Sequence, residues 1–117
     1  MKYLLLINAD ETAFNREPEP GTAPINPEFV AYTEAMVKAG VWLGGDRLKP
    51  TRHGARVRVR DSKAVVLDGP YSDAKEQLGG YYMIDAPSLD EAVAWAVRCP
   101  AAKYGTIDVR PLAEISR

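Results

Sequence analysis

The sequence has very little of the residues from which metal centres, disulfides and catalytic dyads are usually built. Its 117 residues include one cysteine, Cys99, and one histidine, His53. A single cysteine excludes a disulfide within the chain, and the two residues together are too few for a zinc site. We expect Cys99 to be a small apolar core residue, His53 to be exposed in a loop, and the protein to need no metal and no cofactor. A Mg²⁺ site made of carboxylates alone stays open.

Long hydrophobic runs and an excess of charge of one sign are also missing. Lys and Arg number 15 against 16 Asp and Glu, so the chain lacks the basic excess typical of nucleic-acid-binding domains. The apolar run near the N-terminus, residues 3–7, is far shorter than the roughly 20 residues that cross a membrane. We expect a soluble cytoplasmic protein with a single domain, residues 1–117, that binds neither nucleic acid nor membrane.

One local concentration of positive charge stands out between Arg47 and Arg60, with Arg47, Lys49, Arg52, Arg56, Arg58 and Arg60. Three arginines alternate with two valines from Arg56 to Arg60, which is the period of two that a half-buried strand shows. The simpler interpretation is a strand whose charged face is solvated and discourages edge pairing. The alternative is a stripe of positive charge that attracts an anion.

Two helices are predicted from their caps and apolar spacing. The first begins at Pro27 with Asn26 as its N-cap and ends near Ala39 before Gly40. Ser88 and Glu91 form a capping box at the start of the second, and Pro100 stops it. The apolar spacing predicts these buried residues: Phe29, Val30, Thr33, Met36 and Val37 in the first helix, and Leu89, Ala92, Val93, Trp95, Ala96 and Cys99 in the second.

Strand patterns occupy most of the remaining chain. We predict strands at Lys2–Asn8, at Val41–Leu48 with a glycine bulge, at 55–60 and 63–67 as a hairpin turning at Asp61-Ser62, at 80–86 and at 106–110. Residues 9–27 contain four prolines and are predicted to be a long loop. This order of elements predicts an α+β fold, a ferredoxin-like split βαβ sandwich with an added β-hairpin.

Two helices can cover one face of such a sheet, so the other face needs a partner. Tyr81 or Tyr82, together with Trp42 and Val57, are candidates for this uncovered face. A second copy packed sheet to sheet would cover it, which predicts a homodimer.

A candidate binding site lies where one strand ends and the next begins. An apolar run ends in the turn Asp68-Gly69-Pro70, and a charged segment leads to Gly79-Gly80. We predict that these charges line the mouth of a cleft that binds a small molecule, anionic or aromatic. The predicted ligand-binding residues are Asp68, Gly69, Pro70, Tyr71, Lys75, Glu76 and Tyr82. The simpler alternatives are that Asp68 caps its own backbone, that Lys75 and Glu76 are solvated turn charges, and that the tyrosines pack in a dimer core.

The same stretch carries a family resemblance. Residues 66–82, with Asp68-Gly69-Pro70-Tyr71 and Gly79-Gly80-Tyr81-Tyr82, resemble the YCII-related proteins, and more closely the subgroup named for an Asp-Gly-Pro-Phe motif, with Tyr71 in place of Phe. The similarity continues through residues 88–92, 99–102 and 109–111. It implies a ferredoxin-like fold, a dimeric α/β-barrel type of assembly, and a pocket near the Asp-Gly-Pro turn. Members are often encoded beside extracytoplasmic-function sigma factors, which implies a regulatory partner of that kind.

The chain departs from the family at the residues that would carry chemistry. Relatives resemble hydrolases or lyases with a His-Asp dyad, the His at the start of the first helix, where this chain has Glu28-Phe29. Relatives of the subgroup often have a His after Cys-Pro-Ala-Ala, where this chain has Lys103. Asp68 would remain as the acid of the dyad. The hypotheses are therefore a small-molecule-binding protein, an enzyme of the lyase, isomerase or hydrolase type with Asp68 as general base, and a regulatory module linked to a sigma factor.

Overall fold

A computed structural model describes residues 1–11, 26–68 and 75–114, with only the backbone of Leu67 and Asp68. Within these ranges the elements, in chain order, are β1 (Lys2–Ala9), α1 (Pro27–Lys38), β2 (Trp42–Arg47), β3 (Ala55–Arg60), β4 (Lys63–Asp68), β5 (Gln77–Asp85), α2 (Leu89–Arg98) and β6 (Thr106–Pro111). Two 3₁₀ helices, Thr51–His53 and Pro100–Lys103, follow β2 and α2. The predicted loop at 9–27 lies mostly outside the described residues.

Four strands form an antiparallel sheet in the order β2-β5-β1-β6, and β3 and β4 form a separate hairpin. Without the hairpin, the order along the chain is strand, helix, two strands, helix, strand. This arrangement is compatible with the predicted ferredoxin-like fold. The predictions of an α+β class and of a hairpin between β2 and β5 are confirmed.

The core lies between one face of this sheet and the two helices. Alternate residues of β1, Tyr3, Leu5 and Ile7, are buried, and they pack in one cluster with Met36 of α1 and Ala92 of α2. Successive residues of a strand point to opposite faces, so both helices cover the same face. The intervening residues of β1 are only half-buried in the single chain. The continuous apolar run therefore has one face covered by the helices and one face that no described helix covers.

The first helix begins and ends as predicted, and Met36 is buried as predicted, but part of its buried face differs. The Asn26 side chain accepts a 2.8 Å hydrogen bond from the Glu28 amide, and Gly40 follows the helix with φ at 77°. Tyr32 and Met36 are the buried residues of α1. The prediction was wrong for Val30 and Val37, which are 39% and 55% exposed. Residues four apart share a helix face, and the pair that faces the sheet is Tyr32 and Met36.

The second helix also begins and ends as predicted, but its buried face is narrower than predicted. Ser88 Oγ accepts a 3.2 Å hydrogen bond from the Glu91 amide, as the cap predicted. Ala92 and Ala96 are buried, and Cys99 is buried just beyond the helix, as expected of a core residue. The prediction was wrong for Leu89 and Val93, which are 49% and 42% exposed. The helix contacts the sheet through its small alanines, and this contact face does not include Leu89 and Val93.

The hairpin turn is confirmed, but the burial of its strands is not. Asp61 and Ser62 both have positive φ angles, 51° and 62°, as in the two-residue type I′ turn. Val57 and Val59 are 61% and 60% exposed. The expected half-buried strand is wrong because β3 pairs with β4 outside the four-stranded sheet, so neither helix reaches it.

The uncovered face of the sheet holds fewer aromatic residues than predicted. Trp42 is paired with Ile84, whose side chain is fully buried in the core, so Trp42 and Tyr82 lie on the helix side. Tyr81 lies on the uncovered face, where its hydroxyl donates a 2.8 Å hydrogen bond to Asp46 Oδ2.

The strand after the predicted site, β5, begins at Gln77 rather than Gly80 and contains the register shift opposite Ile7 and Asn8. No helix among the described residues is long and apolar enough to cross a membrane.

Candidate functional site

An open cleft of about 510 Å³ lies between the start of β5 and the segment that joins β2 to the hairpin. Its volume is in the range of small-molecule sites, roughly 300–1,000 Å³. The described residues that line it are Leu48, Lys49, Pro50, Thr51, His53, Gly54, Arg56, Glu76, Gln77 and Leu78.

One wall of the cleft is the short 3₁₀ helix Thr51–His53. The Leu48 amide donates a 2.9 Å hydrogen bond to the Gly79 carbonyl, which holds the segment beside β5. Pro50 is buried, and its carbonyl accepts a 3.0 Å hydrogen bond from the His53 amide, which closes the turn. This local folding places the exposed His53 on the cleft.

Glu11 joins this wall to the sheet. Its Oε1 accepts a 2.7 Å hydrogen bond from the Thr51 amide, and its Oε2 accepts one of 3.1 Å from Thr51 Oγ1. The Glu11 amide in turn donates to Gln77 Oε1 at 3.2 Å. A carboxylate that accepts two hydrogen bonds from one residue holds that residue in place, so Glu11 fixes the position of Thr51. Sequence reasoning missed Glu11, because its partner is 40 residues away and no short motif links them.

Among the described lining residues two are basic and one is acidic. Lys49 and Arg56 are the basic residues, and Glu76 is the acidic one. Arg56 is half-buried, whereas Arg58 and Arg60 on the same strand are exposed. Of the basic residues predicted between Arg47 and Arg60, the described cleft lining includes Lys49 and Arg56. Clefts lined by one sign of charge raise the local concentration of ions of the opposite sign.

Glu76 is the predicted site residue that the structure places on this cleft. It is half-buried, and its Oε1 accepts a 2.8 Å hydrogen bond from Thr106 Oγ1 at the start of β6. This bond orients the carboxylate between β5 and β6. The neighbouring Lys75 is exposed and is not among the described lining residues.

Tyr82 lies instead in an aromatic cluster on the helix side of the sheet. Its ring centroid is 5.4 Å from that of Tyr32 and 5.6 Å from that of Trp42, both in edge-to-face arrangements. Burial raises the pKa of Tyr82, and a hydrogen bond with Thr33 opposes that shift. These contacts give Tyr82 a packing role in the single chain, and its predicted role in ligand binding stays a prediction.

The side chains of the remaining predicted site residues lie outside the described part of the chain. Gly69, Pro70 and Tyr71 lie outside the described residues, as does the side chain of Asp68. The backbone of Asp68 is described, and it pairs with Ala55 at the base of the hairpin. Their assignments, including Asp68 as general base, stay predictions.

Tyr32 ties the two helices together beneath the sheet. Its hydroxyl donates a 2.6 Å hydrogen bond to the Trp95 carbonyl, and burial raises its pKa. The guanidinium carbon of Arg98 lies 4.3 Å from the Trp95 ring centroid, in cation–π geometry. Buried Cys99, whose pKa is raised by burial, lies at the end of the same helix. These contacts stabilise the core rather than form a site.

Glu28 and Lys103, where the family resemblance implied histidines in relatives, lie side by side. Lys103 Nζ is 2.7 Å from Glu28 Oε2, and both side chains are exposed. The hydrogen bond to Glu28 raises the pKa of Lys103. Neither residue belongs to the described lining of the cleft. No three His, Cys, Asp or Glu side chains in the described ranges are grouped so that they could hold a metal ion.

Comparison with known proteins assigns the family. The model of the YCII-related domain matches residues 1–116. The chain belongs to the YCII-related family. An uncharacterized protein of Rhizobium meliloti (strain 1021) is 35% identical over 115 residues, which cover 97% of this chain and 93% of the relative. Membership of the Asp-Gly-Pro-Phe subgroup and the link to a sigma factor stay predictions.

Proposed function

We propose that this YCII-related protein binds a small anionic molecule in the cleft beside the start of β5. The observation that carries the proposal is the convergence of Lys49, His53 and Arg56 on one concave surface of about 510 Å³. Lys49 and Arg56 give this surface two positive charges, which attract a carboxylate or a phosphate.

The other lining residues favour a ligand with an apolar body as well as an anionic group. Leu48 and Leu78 are both exposed at the cleft, with 39% and 43% of their surface accessible. Glu76 and Gln77 supply polar atoms at the start of β5. An aromatic or short aliphatic acid combines an anionic head with an apolar body, so we take this to be the class of ligand.

The backbone supports a pocket next to the Asp68-Gly69-Pro70 turn. Asp68 pairs with Ala55, and both chain neighbours of Ala55, Gly54 and Arg56, line the cleft. The end of β4 therefore lies beside the strand that carries the cleft arginine. This relationship agrees with Asp68 as a ligand-binding residue, and it makes Asp68 the first residue to vary in a search for turnover.

We also propose that residues 1–117 form a single domain of the Asp-Gly-Pro-Phe subgroup that assembles as a homodimer through the uncovered face of the sheet. The half-buried Leu4, Leu6 and Met83 on that face support this assembly. An assembly of this type would leave the cleft at the end of the sheet, where β5 begins.

Ligand binding can be tested by titrating the isotopically labelled protein and following its amide NMR spectrum. The probes are benzoate, inorganic phosphate and the neutral benzamide. We expect benzoate to shift the amides of residues 48–56 and 76–78 at millimolar concentration, and benzamide to leave them unchanged. If none of the three shifts these amides, the proposed function is wrong. New product signals during the titration would favour an enzyme instead.

A matched pair of variants makes the test specific to the cleft. Arg56 and Arg60 lie on the same face of β3, but the cleft is lined by Arg56. We expect Arg56→Gln to weaken benzoate binding severalfold, because it removes one of the two basic residues of the described lining, and Arg60→Gln to leave it unchanged. Equal effects of the two substitutions would show that only the overall charge matters.

A further inference from the structure

The acidic residue of the cleft is held on the opposite side of β5 from Lys49. The Leu48 amide donates to the Gly79 carbonyl, so the segment that carries Lys49 continues along the β2 side of β5. The Glu76 carboxylate is instead hydrogen-bonded to Thr106, the first residue of β6. In the sheet order β2-β5-β1-β6, β2 and β6 lie on opposite sides of β5. The cleft therefore has a basic side and an acidic side.

The contact with Thr106 orients the Glu76 carboxylate without using up its hydrogen-bonding capacity. The Thr106 hydroxyl donates to Glu76 Oε1 at 2.8 Å, and Glu76 is half-buried on the cleft. A carboxylate offers about four acceptor sites, and this hydroxyl occupies one of them. An ammonium group carries three donors and no acceptor. Glu76 is therefore positioned to accept a hydrogen bond from an ammonium group of a ligand.

The two sides are separated by the width of the sheet and by apolar surface. Neighbouring strands are about 4.8 Å apart, so β2 and β6, three places apart in the sheet, are separated by about 14 Å. Leu78 precedes the Gly79 that bonds to Leu48, and both leucines line the cleft. A ligand that contacts both sides must therefore carry its two charged groups at opposite ends of an apolar body.

We propose that the cleft binds an extended amino acid, in which an apolar body separates the carboxylate from the ammonium group. The carboxylate lies on the side of Lys49, the apolar body packs on Leu48 and Leu78, and the ammonium group donates to Glu76. This inference rests on the anion binding proposed above, and it adds Glu76 as the residue that selects the second charged group. An ordinary α-amino acid is too short for both contacts, because one carbon atom carries its two charged groups.

The test compares three ligands in the amide NMR titration of the full chain. The first is para-aminomethylbenzoate, with its charged groups at opposite ends of the ring. The second is phenylglycine, an isomer of the first in which both charged groups are on one side of the ring. The third is para-methylbenzoate, which has the carboxylate and no amino group. We expect para-aminomethylbenzoate to bind about fivefold more tightly than either of the others.

A matched pair of variants tests the role of Glu76. We expect Glu76→Gln to weaken the binding of para-aminomethylbenzoate and to strengthen that of para-methylbenzoate, because it removes an attraction in one complex and a repulsion in the other. A general disturbance of the fold would change both affinities in the same direction. Glu34→Gln removes an exposed carboxylate of α1 that is not among the described lining residues, and it should leave both affinities unchanged.

The remaining outcomes separate this inference from the proposed function. If para-methylbenzoate or phenylglycine shifts the amides of residues 48–56 and 76–78 at the same concentration as para-aminomethylbenzoate, anion binding stands and the extended amino acid is wrong. A Glu76→Gln variant that changes both affinities in the same direction, or changes neither, also overturns the inference alone. If none of the three ligands shifts these amides, the proposed function and the inference are both wrong.

Discussion

Lys103 Nζ lies 2.7 Å from Glu28 Oε2, which joins the 3₁₀ helix after α2 to the first turn of α1. The family resemblance implied histidines at or beside these positions in relatives. A histidine changes its charge near neutral pH, whereas the hydrogen bond to Glu28 raises the pKa of Lys103 further above its ordinary value. Lys103 therefore keeps its charge near pH 7 and is a poor proton-transfer group.

The first prediction is that this ion pair contributes nothing measurable to stability. Both side chains are largely exposed, 59% for Glu28 and 67% for Lys103, and ion pairs in water lose most of their attraction to solvent and side-chain entropy. The double variant Glu28→Gln with Lys103→Gln should melt at the wild-type temperature, measured by circular dichroism. A clear fall in Tm, removed by high salt, would contradict this.

The second prediction uses two neighbouring glycines of β2 as a matched pair. A Cβ at Gly45 would lie 2.7 Å from Tyr82 Cδ1 and 2.8 Å from the Tyr81 carbonyl oxygen, whereas a Cβ at Gly44 would meet nothing within 4 Å. We expect Gly45→Ala to lower the free energy of unfolding by about 1–3 kcal/mol, as overpacking does. Gly44→Ala should be neutral or slightly stabilising. Urea denaturation measures both, and equal values would contradict the packing of Tyr82 over β2.

The third prediction concerns the hydrogen bond that Tyr32 donates to Trp95. The helix α2 ends at Arg98, so the Trp95 carbonyl is one of the last four, which have no partner within the helix. Tyr32→Phe removes the hydroxyl that donates to this carbonyl. It should lower the free energy of unfolding, measured by urea denaturation, by about 1–3 kcal/mol. Tyr81→Phe, which removes a hydroxyl bonded to exposed Asp46, is the control and should cost clearly less.

The fourth prediction is a loss of stability at alkaline pH. Burial raises the pKa of both Tyr32 and Tyr82 above the ordinary value of 10.0. Above that value the unfolded chain releases protons that the folded chain keeps, so the free energy of unfolding falls as the pH rises further. The stability that these neutral phenols contribute is fully present below pH 10 and is lost above it.

Denaturation series between pH 9 and 11.5 should show this fall for the wild type, and a shallower fall for Tyr32→Phe. The comparison is made between slopes rather than absolute values, because Tyr32→Phe also removes a hydrogen bond at every pH. Identical slopes would mean that Tyr32 is hydrated in the folded protein.

The fifth prediction is that Glu11 holds the wall of the cleft. Its carboxylate accepts hydrogen bonds from both the amide and the hydroxyl of Thr51. Glu11→Ala leaves the half-buried Thr51 amide without its acceptor, and should cost about 1–3 kcal/mol and speed amide hydrogen exchange at residues 51–54. Glu11→Gln keeps one acceptor oxygen and should show a smaller effect. Unchanged exchange in Glu11→Ala would show that the 3₁₀ helix holds itself in place.

The sequence by itself determined the elements whose causes are local. Asn26 and Pro27 begin α1, Ser88 begins α2, and Asp61-Ser62 turns the hairpin, and all three were predicted. Each depends on the conformational preference of one or two residues and on hydrogen bonds to near neighbours. The resemblance to the YCII-related family likewise depends on residues in sequence order, and the match over residues 1–116 confirms the family, whereas the subgroup stays a prediction.

Only the tertiary structure decided which faces are buried and which residues meet at the cleft. Val30 and Leu89 fit the apolar spacing of their helices, yet the sheet covers a narrower face of each helix and leaves both residues exposed. Glu11, Thr51 and Gln77 meet because β1 ends beside the start of β5, a contact that depends on strand order and register. Local preferences set the ends of helices and turns, but burial depends on how distant elements pack, and a single sequence does not state that packing.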